Sequence, residues 1–233
     1  MTASKTHTVT GILQRAVERG DSVLPETEGF EILRGLGFET PDQIFVKNSS
    51  AAELSAINGE KVVVKVVSPE ILHKSDVGGV ALVDNDPETI RGTIAEMETR
   101  FSGFTGFTVN ELIEYSPALG NELLLGLRWT DDFGAVVTFG AGGIYTDFLT
   151  RNFRTGKDVA VFSSSLSHDE TIERELAKTA VATLLTEPLR GQKPRLKLST
   201  LREVVKKLLS AADELGRAGV TDLEINPLVV SGD

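Results

Sequence analysis

A chain of 233 residues, 40% hydrophobic and 25% charged, is long enough for one large globular domain or two closely associated subdomains. Its formal net charge of −10 argues against a nucleic-acid partner, because a phosphate backbone is held by a surplus of Lys and Arg. The chain has no cysteine, which excludes disulfides, thiolate catalysis and cysteine-ligated zinc.

In chain order, residues 1–10 are polar and lack the apolar core of a secretory signal. No apolar run approaches the ~20 residues that cross a bilayer, so neither membrane nor secretion is expected and a cytoplasmic location is the simplest reading. Residues 10–20 predict a short amphipathic helix with Ile12, Leu13, Ala16 and Val17 on one face and Gly20 as its stop. Residues 25–37 predict a second helix, ending at Gly35 or Gly37 before an extended Thr40-Pro41. Residues 44–46 and 61–67 are rich in β-branched side chains and predict strands. A short helix over 50–57 lies between them.

A helix over 87–101 follows, with Asp86 as N-cap and Pro87 in its first turn. Strands are predicted at 107–113, 122–127 and 135–139, and a helix at 170–185. Thr200-Leu201-Arg202-Glu203 fits a capping box. It opens a helix with Leu201, Val204, Val205, Leu208, Leu209, Ala212 and Leu215 at amphipathic spacing, closed by Gly216 and Gly219. The chain returns as a strand over 223–230. Helices and strands are thus interspersed, the class is mixed α+β or α/β, and a seam is placed near 103–106. Two subdomains with a cleft between them are the expected form, and such clefts favour ligands.

Four segments carry candidate chemistry. In residues 222–227, strand alternation puts Asp222, Glu224 and Asn226 on one face and Leu223 and Ile225 on the other. Those oxygens suit Mg²⁺, although a half-buried strand with a solvated polar face reads equally well; Pro227 marks an edge or bend. Lys65 interrupts a run of valines, so it must snorkel to water or meet an anion, and phosphate is the natural one. An ordinary surface-facing strand lysine is the commoner meaning of that pattern. Downstream, residues 68–80 combine His73, Lys74, Ser75, Asp76 and the Gly78-Gly79 pair. An imidazole can carry a phosphoryl group through a ring nitrogen, and a carboxylate can fix which nitrogen is free. A lone loop histidine is usually only a surface residue, so the surrounding motif has to carry that role. His7 and His168 receive none.

Residues 139–145 place Gly140, Gly142 and Gly143 after an apolar strand, where backbone N–H groups can approach phosphate. A plain tight turn is the commoner meaning. Tyr145 stands where a Rossmann fingerprint needs its third glycine, and no Walker A sequence occurs.

In order, these segments resemble the ATP-grasp part of ADP-forming acyl-CoA synthetases, relatives of succinyl-CoA synthetase. The matching residues are Val64-Lys65, Ser68-Pro69, His73-Lys74-Ser75-Asp76-Val77-Gly78-Gly79-Val80, Gly120-Asn121-Glu122-Leu123, Phe133-Gly134, Phe139-Gly140-Ala141-Gly142-Gly143, Arg190-Gly191 and Glu224-Ile225-Asn226-Pro227-Leu228. The stretch that begins at His73 is highly specific; the Gly-rich turn and the Arg-Gly pair are not. The resemblance covers residues 24–230.

It implies an ATP-grasp fold: a helical extension (1–21) and two subdomains (22–105 and 106–233) enclosing ATP or ADP with Mg²⁺. Lys65 would contact phosphate, Glu111, Leu112 and Ile113 would lie beside the adenine, and Glu122 near the sugar. Gly142 and Gly143 would approach the nucleotide, and Glu224 and Asn226 would face the metal. His73 resembles a phosphohistidine that carries phosphoryl between a partner's site and the nucleotide, so a CoA-binding alpha subunit or fused domain is the expected partner. The implied reaction is acyl-CoA + ADP + phosphate giving acid + CoA + ATP. The chain departs from the pattern at Thr130 (Asp expected), Asp147 (Glu expected) and Arg151 (Asp expected). Relatives also continue beyond the position of Asp233 into a strand carrying an acidic metal-holding residue. These departures favour a second reading, a nucleotide-sensing module without turnover.

Overall fold

The computed structural model describes residues 3–51, 57–68, 74, 77–154 and 156–230. The chain divides into two compact units, Met1–Ile113 and Glu114–Asp233.

The first unit runs α1 (Ala3–Arg19), α2 (Glu26–Gly35), β1 (Gln43–Val46), a 3-10 turn (Ser49–Ala51), β2 (Lys61–Val67), β3 (Val80–Asp84), α3 (Pro87–Arg100) and β4 (Gly106–Glu111). The strands form an antiparallel sheet in the order β1-β4-β2-β3. Alternation along β2 buries Val62, Val64 and Val66 with Phe107 and Val109 of β4. Helix α3 covers that face with Ile90, Ile94 and Met97, each buried side chain contributing about 1.5–3 kcal/mol. Asp86 caps α3 by accepting from the Thr89 N–H at 2.8 Å, with Pro87 in the first turn, as the sequence predicts. Helix α1 starts earlier than expected and packs with α2 through Ile12, Leu13 and Ala16. Val17, expected on that face, is exposed, because it lies about a quarter turn from the axis of the stripe. Of the helix expected over 50–57, residues 52–56 lie outside those described.

Strand β4 begins at Gly106, where the sequence reading opens the second subdomain, yet its ladders to β1 and β2 bind it into the first sheet. Residues 1–21, read as an extension, supply α1 to the same unit.

The second unit contains β5 (Glu122–Thr130), β6 (Gly134–Ala141), α4 (Tyr145–Asn152), β7 (Val159–Ser163), α5 (Asp169–Leu176), α6 (Ala180–Thr186), α7 (Leu198–Leu209), α8 (Ala212–Arg217) and β8 (Asp222–Val229). Its antiparallel sheet has the order β7-β6-β5-β8. One face buries Leu123, Leu125, Leu127, Val137, Phe139 and Phe162 against the helices, which contribute Leu176, Leu185, Val205, Leu208 and Leu215.

Two long helices expected from periodicity are each broken. The helix expected over 170–185 breaks at Thr179, whose buried hydroxyl accepts from the Ala182 N–H and so starts α6 anew. The helix expected from Thr200 to Leu215 breaks at Ser210-Ala211, where the Ser210 hydroxyl donates back to the Lys207 carbonyl at 3.1 Å and competes with the backbone ladder. The Thr200–Glu203 capping box does not form: α7 starts at Leu198, and Glu203 pairs with Arg202. Among the described residues, no helix is long and apolar enough to cross a membrane.

Candidate functional site

In the first unit, the pleat that buries Val64 and Val66 turns Lys65 to the opposite face of β2. The anion it meets is protein. Lys65 Nζ lies 2.7 Å from Glu26 Oε1, and Lys74 Nζ lies 3.5 Å from Glu26 Oε2. Glu26 stands in the first turn of α2, where a helix favours negative charge. Burial pushes its carboxyl up, but the charges and hydrogen bonds of Lys65 and Lys74 outweigh burial and hold it below the usual glutamate value.

Lys74 is tied to the sheet by backbone: the Gly79 N–H donates to the Lys74 carbonyl at 2.7 Å, and the Gly79 carbonyl accepts from the Val66 N–H at 2.9 Å. A Cβ at Gly79 would lie 2.7 Å from Val66 Cγ1 and 3.0 Å from the Lys74 carbonyl oxygen. Glycine there is therefore a condition for placing Lys74 beside Lys65. His73, Ser75 and Asp76 lie outside the described residues.

Of the stretch expected beside an adenine, the Glu111 side chain is engaged within the sheet, where Oε2 accepts from the Asp42 N–H at 3.0 Å. Leu112 and Ile113 follow β4 without regular structure, half-buried, and close the first unit.

In the second unit, Glu122 heads β5 and is 7% exposed. Its Oε1 accepts from the Tyr115 hydroxyl at 2.8 Å. Its Oε2 is buried and has no hydrogen-bond partner among the described residues. A buried carboxylate oxygen without a donor is costly, and an incoming hydroxyl would relieve that cost. Burial, and then the hydrogen bond to and charge of Glu122, push the Tyr115 phenol above its usual value, so Tyr115 stays a neutral donor.

The Gly-rich turn closes around this carboxylate. Gly143 has φ +61°, and a Cβ there would fall 1.9 Å from Glu122 Oε2. A Cβ at Gly142 would fall 2.6 Å from the Leu123 carbonyl oxygen and 2.9 Å from Asn226 Oδ1. Both N–H groups donate within the chain, Gly142 to the Glu122 carbonyl at 2.9 Å and Gly143 to Asn226 Oδ1 at 2.8 Å. The two glycines therefore permit a close backbone approach and shape the wall around Glu122.

Strand β8 exposes Asp222, Glu224 and Asn226 and half-buries Leu223 and Ile225. Asp222 accepts from Arg128 at 2.7 Å. The Asn226 amide is engaged at both ends: Oδ1 accepts from Gly143, and Nδ2 donates to Glu224 Oε1 at 3.2 Å. Among the described residues, no group of three or more His, Cys, Asp or Glu could hold a metal. Glu224 and Asn226 could hold Mg²⁺ only as part of a set that includes water and phosphate oxygens, since that ion keeps most of its waters. Thr130 shapes the β5–β6 hairpin: its hydroxyl accepts from the Phe133 N–H at 3.1 Å and donates to the Gly134 carbonyl at 3.3 Å.

Two residues absent from the sequence reading complete these sites. Glu26 lies 39 positions from Lys65, and only the general pull of a helix start on acidic residues pointed to it. Tyr115 lies in the irregular stretch before β5, where no pattern marks it.

Two antiparallel sheets with flanking helices, one presenting paired lysines and the other a buried carboxylate beside an acidic strand, define an ATP-grasp protein. Residues 15–233 match the ATP-grasp domain family, and the chain belongs to it. The chain is 29% identical over 217 residues to the beta subunit of acetate–CoA ligase (ADP-forming) I from Pyrococcus furiosus, covering 90% of this chain and 87% of that one. It is 32% identical over 216 residues to 4-hydroxybutyrate–CoA ligase (ADP-forming) from Nitrosopumilus maritimus, covering 89% of this chain but 28% of that protein. With acetate–CoA ligase (ADP-forming) I of Archaeoglobus fulgidus it shares 29% identity, over 94% of this chain and 30% of the relative. The chain thus spans under a third of the length of the latter two.

Among solved structures it is similar to the acetyl-coenzyme A synthetase 1 of Ca. Korarchaeum cryptofilum in complex with coenzyme A and Ca-AMPCP. That likeness has a TM-score of 0.73 at 26% identity, over 94% of this chain and 92% of that one.

Proposed function

We propose that this chain is the nucleotide-binding domain or subunit of an ADP-forming acid–CoA ligase. It would bind ATP or ADP and exchange a phosphoryl group with it through His73. The observation that carries nucleotide binding is the Glu122 carboxylate, walled by Gly143, held at one oxygen by Tyr115 and, among the described residues, unpartnered at the other. Such an acceptor suits a sugar hydroxyl. The reaction class is supported by the named activities of the relatives.

In this reading Lys65 and Lys74 neutralise the polyphosphate, and Glu224 with Asn226 would hold Mg²⁺, which supplies charge neutralisation at the phosphates when bound. A terminal phosphate oxygen of ADP takes the phosphoryl group as the bond to the His73 ring nitrogen breaks, giving ATP and free imidazole. The chain contributes position and charge. A CoA-binding alpha subunit or fused domain would load His73, in keeping with the subunit name of one relative and the greater length of others.

The second reading, nucleotide sensing without turnover, draws on one observation: both ends of the Asn226 amide are engaged within the protein. The test combines a melting curve with and without Mg-ADP and labelling from radioactive ATP. Binding at 100 times the dissociation constant adds about 2.7 kcal/mol, a shift of roughly 5–10 °C. Acid-labile label on the wild type that is lost in His73→Asn supports the ligase reading. A melting shift without label, with a CoA-binding partner present, supports the sensor. No shift overturns both.

A further inference from the structure

We propose that Glu26 is an internal counter-anion of the phosphate subsite: its carboxylate occupies the Lys65–Lys74 pair until a polyphosphate displaces it. The inference rests on the reading of these lysines as phosphate ligands and adds a residue that sets the charge of their site.

The geometry is that of a bound anion. One carboxylate bridges two ammonium groups with a separate oxygen for each, at 2.7 Å and 3.5 Å, as two oxygens of one phosphate would. The contact is built from elements far apart in sequence: the first turn of α2, the centre of β2, and a turn closed on β2 by Gly79. It is also open to exchange. The side chains of Glu26, Lys65 and Lys74 are 25%, 26% and 23% exposed, and an ion pair that water reaches holds weakly. A di- or triphosphate brings several charges to the same pair, so it wins the competition.

Two lysines and one glutamate leave the subsite with one net positive charge instead of two. Glu26 therefore tempers affinity most for the ligands with the most distal charge. That is the behaviour of a residue tuning release of a polyphosphate product. A purely structural pair would instead hold the lysines in place, and its loss would weaken binding.

The test is titration calorimetry on the full chain, with inorganic tripolyphosphate, ADP and AMP as probes, comparing wild type with Glu26→Gln. Glu26→Ala is carried as a second variant, and the circular dichroism of all three is compared. Removing one charge at about 6 Å in a half-solvated site is expected to tighten tripolyphosphate about tenfold, ADP less, and AMP least, with a steeper salt dependence. Unchanged or weaker tripolyphosphate binding in both folded variants overturns the inference, even where ADP binds the wild type well and the nucleotide reading stands. Tighter tripolyphosphate with no ADP binding to any protein would keep the counter-anion and overturn the nucleotide reading instead.

Discussion

The two units treat their charged residues in opposite ways. In the first, the lysines are answered from within: Glu26 satisfies Lys65 and Lys74 together. In the second, a carboxylate is half-answered, since Tyr115 holds one oxygen of Glu122 while the other stays buried without a donor among the described residues. An exposed ammonium without an anion costs little, because water solvates it. A buried carboxylate oxygen without a donor costs about 1–3 kcal/mol. The second unit therefore carries the stronger signature of a ligand, and the first carries a charge setting that a ligand must overcome.

The largest effect is expected at Gly143. Gly143→Ala combines a left-handed backbone with a Cβ driven into Glu122. It is expected to cost about 2–3 kcal/mol, read as a fall in melting temperature of roughly 5–10 °C; an unchanged melt would show that the turn is not packed against the carboxylate. Next is Glu122→Gln, which keeps the shape and removes the charge. It is expected to weaken ADP by about 2 kcal/mol, roughly thirtyfold, while the unliganded protein melts at or above the wild-type temperature because the buried charge is gone. Wild-type affinity in that variant would sink the sugar-binding role.

Smaller effects sharpen the contrast. Tyr115→Phe leaves Glu122 intact but unheld, and its ADP dissociation constant is expected to rise about fivefold with little change in melting. The smallest concerns acid. The folded-state pKa of Glu26 lies below the ordinary value of 4.5, so its stabilisation is present above pH 4.5 and is lost as pH falls through the folded value. The melting advantage of wild type over Glu26→Gln, about 1 kcal/mol or less, should accordingly vanish in acid. An advantage that grew as pH fell would contradict the pairing with Lys65.

What the sequence disclosed follows the range of the forces involved. The limits of β2 and the Asp86 cap of α3 were legible because pleat alternation and capping act within a few residues. The breaks at Thr179 and Ser210-Ala211 were not, because apolar periodicity continues across both and only a hydroxyl competing for backbone groups interrupts the helix. Strands β3 and β7 and helix α4 also escaped, being short and set beside turns whose ends are decided by pairing. At the site, the run of valines left Lys65 to snorkel to water or meet an anion, and alternation put Glu224 and Asn226 on one face. That the anion is Glu26, and that Asn226 latches the Gly-rich turn, depends on contacts 39 and 83 positions apart.

Strand β8 pairs with β5 and borders the second sheet among the described residues. Two residues of β8, Asn226 and Pro227, fall where β5 offers one between Leu123 and Leu125, so the ladder is irregular at that point. Proline also brings no backbone N–H of its own to that stretch. The β5–β8 ladder therefore has neither a continuous register nor a full set of N–H groups there. The same short segment that carries the acidic face thus interrupts the regular ladder of the sheet.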